Sequence, residues 1–542
     1  MKSKILNKMI RKIYILFLTM SLIVTYNCTE TYLDTAPTDS IAEAVAYSSP
    51  DNIMLVLNGL HRQMYVSALT GGGTPNGESY FIPAFDFIAG EVIHTGPGFN
   101  WMKGEARWLS HTNSNSSVCF DFWYQRYHFI ATTNTIINNI AASDFTATPE
   151  LNNILGQAHA YRAWSYWRLV TTFSKGYLIG NPSTDPGVPI TDGFGLNEGV
   201  PRGTVADVYD QIEADIDAAI GYLKNASPPA NKSHISLNAA YGIKARIALS
   251  KGDWATAATN AALARNGFPL LTETEWKSGF NTVDLPEAIW ASRIIDTESN
   301  FFASYFYYIS FMFNGGECRG NNKIINIELY NSIPATDYRR DAWLPLAPNT
   351  NSAAYNGQGG SYLTDPNYDD AASFAAAKAA IIAEYGATSA HNTHPYMNVK
   401  FKQSRPGTNN PDDVIYMRSA EMYLIEAEAK AMMNDISGAQ DVLGTFAITR
   451  DSAFNKTAFT TQAALLNQIK FQRRVELWGE GFSYHDKIRW DEGIDQTNSG
   501  ASLVLYGDAF IQAKPSVNDA WIFKIPQQEI DSNPLITEAD QN

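Results

Sequence analysis

The chain has 542 residues, of which 45% are apolar and 12% aromatic, so it can bury a large core and is not globally disordered. Its formal net charge is −15. An acidic balance of this size argues against a nucleic-acid-binding role, because phosphates require Lys and Arg gathered on one face.

Residues 1–27 read as an export signal. Lys2, Lys4, Lys8, Arg11 and Lys12 form a basic start with no acid, and the apolar run Ile13–Val24 follows. That run is about a dozen residues long, whereas a membrane span needs roughly 20. Its loss takes the net charge to −20. Cys28 follows at the position where a bacterial lipoprotein is cut and acylated, although Val24-Thr25-Tyr26-Asn27 departs from the usual small-residue pattern. Residues 28–50 are polar or small, with Pro37 and Pro50, and read as a lipidated tether. More than one acyl chain makes such an anchor stable.

Residues 51–542 read as one helical domain with loop-rich insertions near 70–117 and 266–410. The first insertion holds Gly71-Gly72-Gly73, Pro75, Pro83, Gly96-Pro97-Gly98, Trp101 and Trp108. Helical patterning is strong over 120–140 and 150–172. Thr204 caps a helix carrying an apolar stripe of Val208, Ile212, Ile216, Ile220 and Leu223. Residues 236–250 and 253–265 form the next pair. Gly252-Asp253-Trp254-Ala255 resembles a tetratricopeptide helix start, whose small residues permit close packing. One such hairpin cannot bury its face alone, so several stack.

The second insertion contains the aromatic run Phe301–Phe313 and an Ala-rich helix at 371–385. Helical hairpins return at 412–433 with 436–449, and again at 461–478, before a Pro-broken tail from Trp521. Fold class is therefore all-α dominated: stacked helical hairpins, long loop insertions and few short strands. Cys119 and Cys318 either pair or stay as two free thiols, one buried and one on a loop.

No zinc-protease helix, phosphate-cradling loop or nucleophile elbow is present. His391 and His394 read as a surface-loop pair rather than a metal site. Asp365-Pro366-Asn367-Tyr368-Asp369 alternates oxygen ligands, but Asp370 and Ala376 stand where a calcium loop needs Gly and Glu. No cofactor is expected, with looser calcium binding left open, and no pair of acids stands out as catalytic.

Several segments resemble the SusD/RagB family of outer-membrane nutrient-binding lipoproteins. They are Tyr32-Leu33-Asp34-Thr35-Ala36-Pro37, Gly156 through Trp164, Arg202 through Tyr209, Leu285 through Trp290, Met417 through Ala429, Arg473 through Trp490, and Ile525 through Ile530. They lie in order over nearly the whole chain. The resemblance implies a fold of about four tetratricopeptide-like helical pairs with loop-rich insertions, lipidation at Cys28, surface exposure on the outer membrane, and a SusC-like TonB-dependent transporter as partner. It implies nutrient capture, not catalysis, and brings no shared ligand-contact motif. Arg474, Glu476 and Asp486 in its C-terminal segment read as paired charges that fix helix packing.

Ligand contacts are therefore sought among loop aromatics and adjacent polar groups. The candidates are Trp101, Trp108, Tyr305, Tyr307, Tyr308 and Trp343, with Asn100, Asn314 and Arg319 for hydroxyls. Glycan is the expected ligand. A peptide and, further off, a glycoside hydrolase activity are the alternatives.

Overall fold

The computed structural model describes residues 43–66, 77–94, 101–193, 198–295, 304–344 and 371–542. Cys28, Asn100 and the 365–370 segment lie outside them. The chain divides into two compact units, Met1–Val56 and Leu57–Asn542.

Twelve helices of eight or more residues organise the described chain. They are α1 Pro50–Gln63, α2 Gly77–Ile88, α3 Ser117–Ala142, α4 Pro149–Phe173, α5 Val205–Leu223, α6 Leu237–Lys251, α7 Trp254–Ala264, α8 Ala371–Tyr385, α9 Ser419–Met432, α10 Ile436–Ala447, α11 Gln462–Glu476 and α12 Ser483–Trp490. Eight short strands pair two by two, all antiparallel: β1 Val92–His94 with β5 Lys323–Ile325, β2 Pro186–Pro189 with β3 Arg202–Thr204, β4 Ala288–Ser292 with β6 Val414–Arg418, and β7 Ile494–Asp495 with β8 Ile511–Gln512. The molecule is helix-dominated and tetratricopeptide-like, as its patterning predicts. No described helix is long and apolar enough to cross a membrane.

Local chemistry starts these helices where the sequence places them. Ser116, Thr148, Ser236 and Asp253 each accept a backbone N–H of the first turn, and Thr204 forms a reciprocal capping box with Asp207. The hairpin turn between α6 and α7 recurs between α9 and α10. In the first, Gly252 is left-handed at φ 82° and Asp253 caps the next helix. In the second, Asn434 takes φ 62° and Asp435 caps. Each capping Asp donates its own N–H five residues back, Asp253 to Ala248 O and Asp435 to Lys430 O. Both hairpins then bury small residues (Ala257 and Ala261, Ala427 and Ala439), so the backbones approach closely. Stacking runs α3 on α4, α4 on α5, α6 on α7, α7 on α9, and α9 on both α10 and α11.

The two insertions hold more order than their composition predicts. The 70–117 region contains α2, every residue of which is buried. It escapes a periodicity reading because Phe81, Phe85 and Phe87 fill all sides and leave no polar face. Asp86 of this helix accepts the N–H groups of Gly481 and Ser483, each at 3.0 Å, and so caps α12 from across the fold. Within 266–410, strands β4 and β5 pair with partners far along the chain. Cys119 and Cys318 are both free and both buried, which corrects the expectation that an unpaired one would lie on a loop. His391 is likewise buried, with its Nε2 3.1 Å from the Phe313 carbonyl, rather than part of a surface pair.

At the centre lies a buried charge network. Glu476 receives Arg339 at 3.0 Å, Arg418 at 2.6 Å, Arg450 at 3.1 Å and the Trp276 indole N–H at 3.1 Å. Glu287 holds Arg418 and Arg450, Glu480 holds Arg418 and Lys400, and Asp337 holds Arg339. Four cations thus meet four carboxylates, and each charge is compensated in the low-dielectric interior. The three guanidinium groups hold the Glu476 carboxyl well below the usual carboxylate range against the pull of burial. The expected pairing of Arg474, Glu476 and Asp486 is realised with different partners: Arg474 binds Glu91, and Asp486 binds Arg473 and Arg489.

Candidate ligand-binding site

Pairing of β1 with β5 is what assembles the site. It sets Val92 against Ile325 and His94 against Lys323, so residues after β1 come beside residues before β5. Trp101 opens the turn Lys103–Ala106, after Met102 in a left-handed conformation at φ 58°. The aromatic run supplies the short helix Tyr305–Ile309. Its Tyr307 and Tyr308 rings meet the half-buried Trp101 edge-on, at 5.8 Å and 6.1 Å between centroids.

The cluster is braced from behind. Tyr308 stands edge-on to Tyr80 at 5.4 Å, and Tyr80 donates its hydroxyl to Glu105 at 2.5 Å. Burial pushes the Glu105 carboxyl up, partly offset by that hydrogen bond. Tyr307 packs edge-on against Phe313 at 5.7 Å. Gly315 lies against the Tyr307 ring so closely that a Cβ would come within 2.8 Å of it. That approach sets the half-buried Asn314 and Arg319 beside the aromatic cluster, and Arg319 Nη1 donates to Asn314 Oδ1 at 3.1 Å.

Five of the nine expected residues are therefore brought together: Trp101, Tyr307, Tyr308, Asn314 and Arg319, but Tyr307 and Tyr308 are buried and back the Trp101 ring instead of offering faces to a ligand. Three of the other four are placed elsewhere. Trp108 is buried, with its indole N–H bonded to the Ile88 carbonyl at 2.9 Å and its ring edge-on to Trp521 at 4.8 Å. Tyr305 turns the opposite way from Tyr307, donates to the Gly479 carbonyl at 2.8 Å and packs on Phe401. Trp343 is 1% exposed and packs edge-on to Trp478. These three are core residues, because each indole or phenol finds apolar walls in the second half of the chain. Asn100 falls outside the described residues. Tyr80 and Glu105, which orient the cluster, gave no signal in the sequence, since both sit in a stretch that composition marks as irregular.

The arrangement offers a half-buried indole backed by two tyrosine rings, with an amide and a guanidinium following Tyr307 and Phe313 in the chain. That suits a ligand with an apolar ring face and polar edges. Glu476 and Glu480 are poor general acids, because Arg339, Arg418, Arg450 and Lys400 hold their carboxyls below the usual carboxylate range. Among the described residues no cluster of three or more His, Cys, Asp or Glu is placed to hold a metal.

Comparison with known proteins agrees with this fold. Residues 91–249 match a family model described as "Starch-binding associating with outer membrane", and residues 286–542 match the SusD family model. No curated protein matches the chain in sequence. Among solved structures, a SusD-like carbohydrate binding protein from Bacteroides vulgatus superposes with a TM-score of 0.73 at 23% identity, covering 91% of this chain and 98% of that one. A SusD superfamily protein from Bacteroides thetaiotaomicron gives 0.70 at 20% identity over 91% and 99%. Surface glycan-binding protein A from Bacteroides fluxus gives 0.62 at 16% over the same shares. With two family models matched in order along one chain, and the fold shared over 91% of it with these structures, the protein belongs to the SusD/RagB family.

Proposed function

We propose that this protein is a lipid-anchored receptor on the outer-membrane surface that captures a glycan and passes it to a SusC-like TonB-dependent transporter. The observation that carries the reading is the Trp101–Tyr307–Tyr308 cluster with Asn314 and Arg319 at its flank. An indole takes the C–H face of a sugar ring, while the amide and guanidinium take hydroxyls. Carbohydrate or glycan binding in the names of the structurally similar proteins supports the same class of ligand. Cys28 after the apolar run supports the anchor, since two or more acyl chains hold a protein on a membrane without a spanning helix.

The test is a binding screen of the mature chain from Thr29 against plant, fungal, host and bacterial glycans, by affinity gel and calorimetry. Trp101→Ala is expected to weaken a hit at least tenfold, about 1.4 kcal/mol, with no change in melting temperature. Trp108→Ala is expected to lower the melting temperature instead, because Trp108 is a core residue. Binding of peptides with no glycan hit would replace the glycan reading. Release of smaller sugars during the screen would overturn the non-catalytic one.

A further inference from the structure

A pocket of about 530 Å³, sharing no lining residue with the Trp101 cluster, lies where the Tyr338–Ala342 turn, the end of α8 and residues 399–402 meet. Its size falls in the range of small-molecule sites. Trp343 lies at its base, and Tyr330 and Tyr385 contribute walls. Five charged groups line it besides the buried Lys400: Lys277, Arg340, Asp341, Glu384 and Lys402. Lys400 is committed to Glu480 and to the carbonyls of Glu476 and Trp478. Lys277 is shared between Glu273 at 2.6 Å and Asp341 at 2.8 Å.

Arg340 and Lys402 are held differently. Among the described residues neither forms an ion pair. Arg340 Nη1 donates to the Tyr330 and Ile333 carbonyls at 3.0 Å and 2.7 Å, and its guanidinium lies 4.2 Å over the Tyr330 ring. The Lys402 ammonium lies 5.6 Å over the Tyr385 ring. Neutral partners thus orient Arg340, while Lys402 stands over Tyr385 within reach of the Glu384 and Asp341 charges but in an ion pair with neither. With Lys277 taken up by Glu273 and Asp341, Arg340 and Lys402 are the two cations left to meet a ligand, with Glu384 the one acid beside them. An oriented guanidinium is complementary to a carboxylate or sulfate, and an aromatic wall is complementary to a sugar face.

We propose that this pocket binds an acidic sugar, a hexuronate or a sulfated hexose, as a second ligand site of the protein. The choice of a saccharide rests on the glycan-capture reading, while the choice of an anion rests on Arg340 and Lys402 alone. The experiment is saturation-transfer NMR and calorimetry on the mature chain with glucuronate, galacturonate, glucose 6-sulfate, glucose, galactose and inorganic sulfate. An acidic sugar is expected to bind at least tenfold more tightly than its neutral counterpart. Lys402→Gln and Arg340→Gln are each expected to weaken it at least fivefold. Glycan retention that depends on Trp101 is expected to be unchanged in Lys402→Gln, whose side chain makes no ion pair among the described residues that folding could lose. Binding of uronate against binding of the sulfated sugar separates the two anion types. Equal binding of acidic and neutral sugars, or no binding of either, overturns the proposal even if glycans are retained at Trp101. Inorganic sulfate binding as tightly as the sugars reduces the pocket to a simple anion site and overturns its saccharide part. Acidic-sugar binding with no glycan retention leaves the pocket standing and removes the capture reading.

Discussion

Glu476 is the residue on which most of the buried charge converges. Arg339, Arg418 and Arg450 are 0%, 2% and 0% exposed as side chains, and each loses an ionised partner if Glu476 is neutralised. Glu476→Gln is therefore expected to destabilise the protein by about 3–5 kcal/mol, read as a shift in the urea unfolding midpoint. A loss below about 1 kcal/mol would mean that water or rearrangement rescues the cations. Cys119 and Cys318 offer a second test at this scale. Burial pushes both thiols up to about 12. Neither is expected to react with a thiol reagent in the native protein at neutral pH, and both are expected to react in denaturant. Residue identities pointed to paired charges in the C-terminal segment. The partners were not legible, because Arg339 and Glu287 lie far away in sequence and only folding brings them to Glu476.

Two elements show how short sequence signals become architecture. The Gly252-Asp253 and Asn434-Asp435 turns share one backbone path, which needs a left-handed residue followed by a helix cap. Asp253→Ala and Asp435→Ala are each expected to cost about 1 kcal/mol, as a lost cap does, measured by chemical denaturation. The turn at Gly481 is stricter. It sits at φ 82°, and a Cβ there would lie 2.8 Å from the Ile82 carbonyl oxygen. Gly481→Ala is expected to cost more than the roughly 1 kcal/mol of the left-handed conformation alone, since the clash is with backbone of α2. It also displaces the N–H that Asp86 accepts. A melting temperature equal to wild type would show that α2 can shift away. The cap residues were legible because capping is local chemistry. The helix α2 was not, because a segment buried on all sides carries no periodic contrast.

For the whole molecule, the same charges set the response to pH. Glu91, Glu428, Glu476, Glu480 and Asp486 are all held below the usual carboxylate range by neighbouring cations. Their folded values lie below their unfolded ones, so the stability they contribute is present above about pH 4.5 and is lost as pH falls through the folded values. Asp86 works in the opposite sense. Burial pushes it up to about 7, so its contribution is present below about pH 4 and is lost as pH rises through about 7. The melting temperature is thus expected to rise between about pH 3 and 5 and to decline gently from there to about pH 7. Asp86→Asn is expected to flatten that decline. A steady rise to pH 8 in the wild type would show that the two backbone N–H groups outweigh the burial of Asp86.

The sequence by itself determined the helical hairpins, their caps, the family resemblance and the presence of loop aromatics. These rest on composition, on a 3.6-residue period and on chemistry between near neighbours, all of which are local. Only the tertiary structure decided which aromatics meet. Trp101 and Tyr307 are joined because β1 pairs with β5, whereas Trp108, Tyr305 and Trp343 are drawn into apolar walls built by Trp521, Phe401 and Trp478. A Trp on a loop has the same sequence signature in either case. Burial and exposure are settled by residues hundreds of positions away, and that information exists only once the chain has folded.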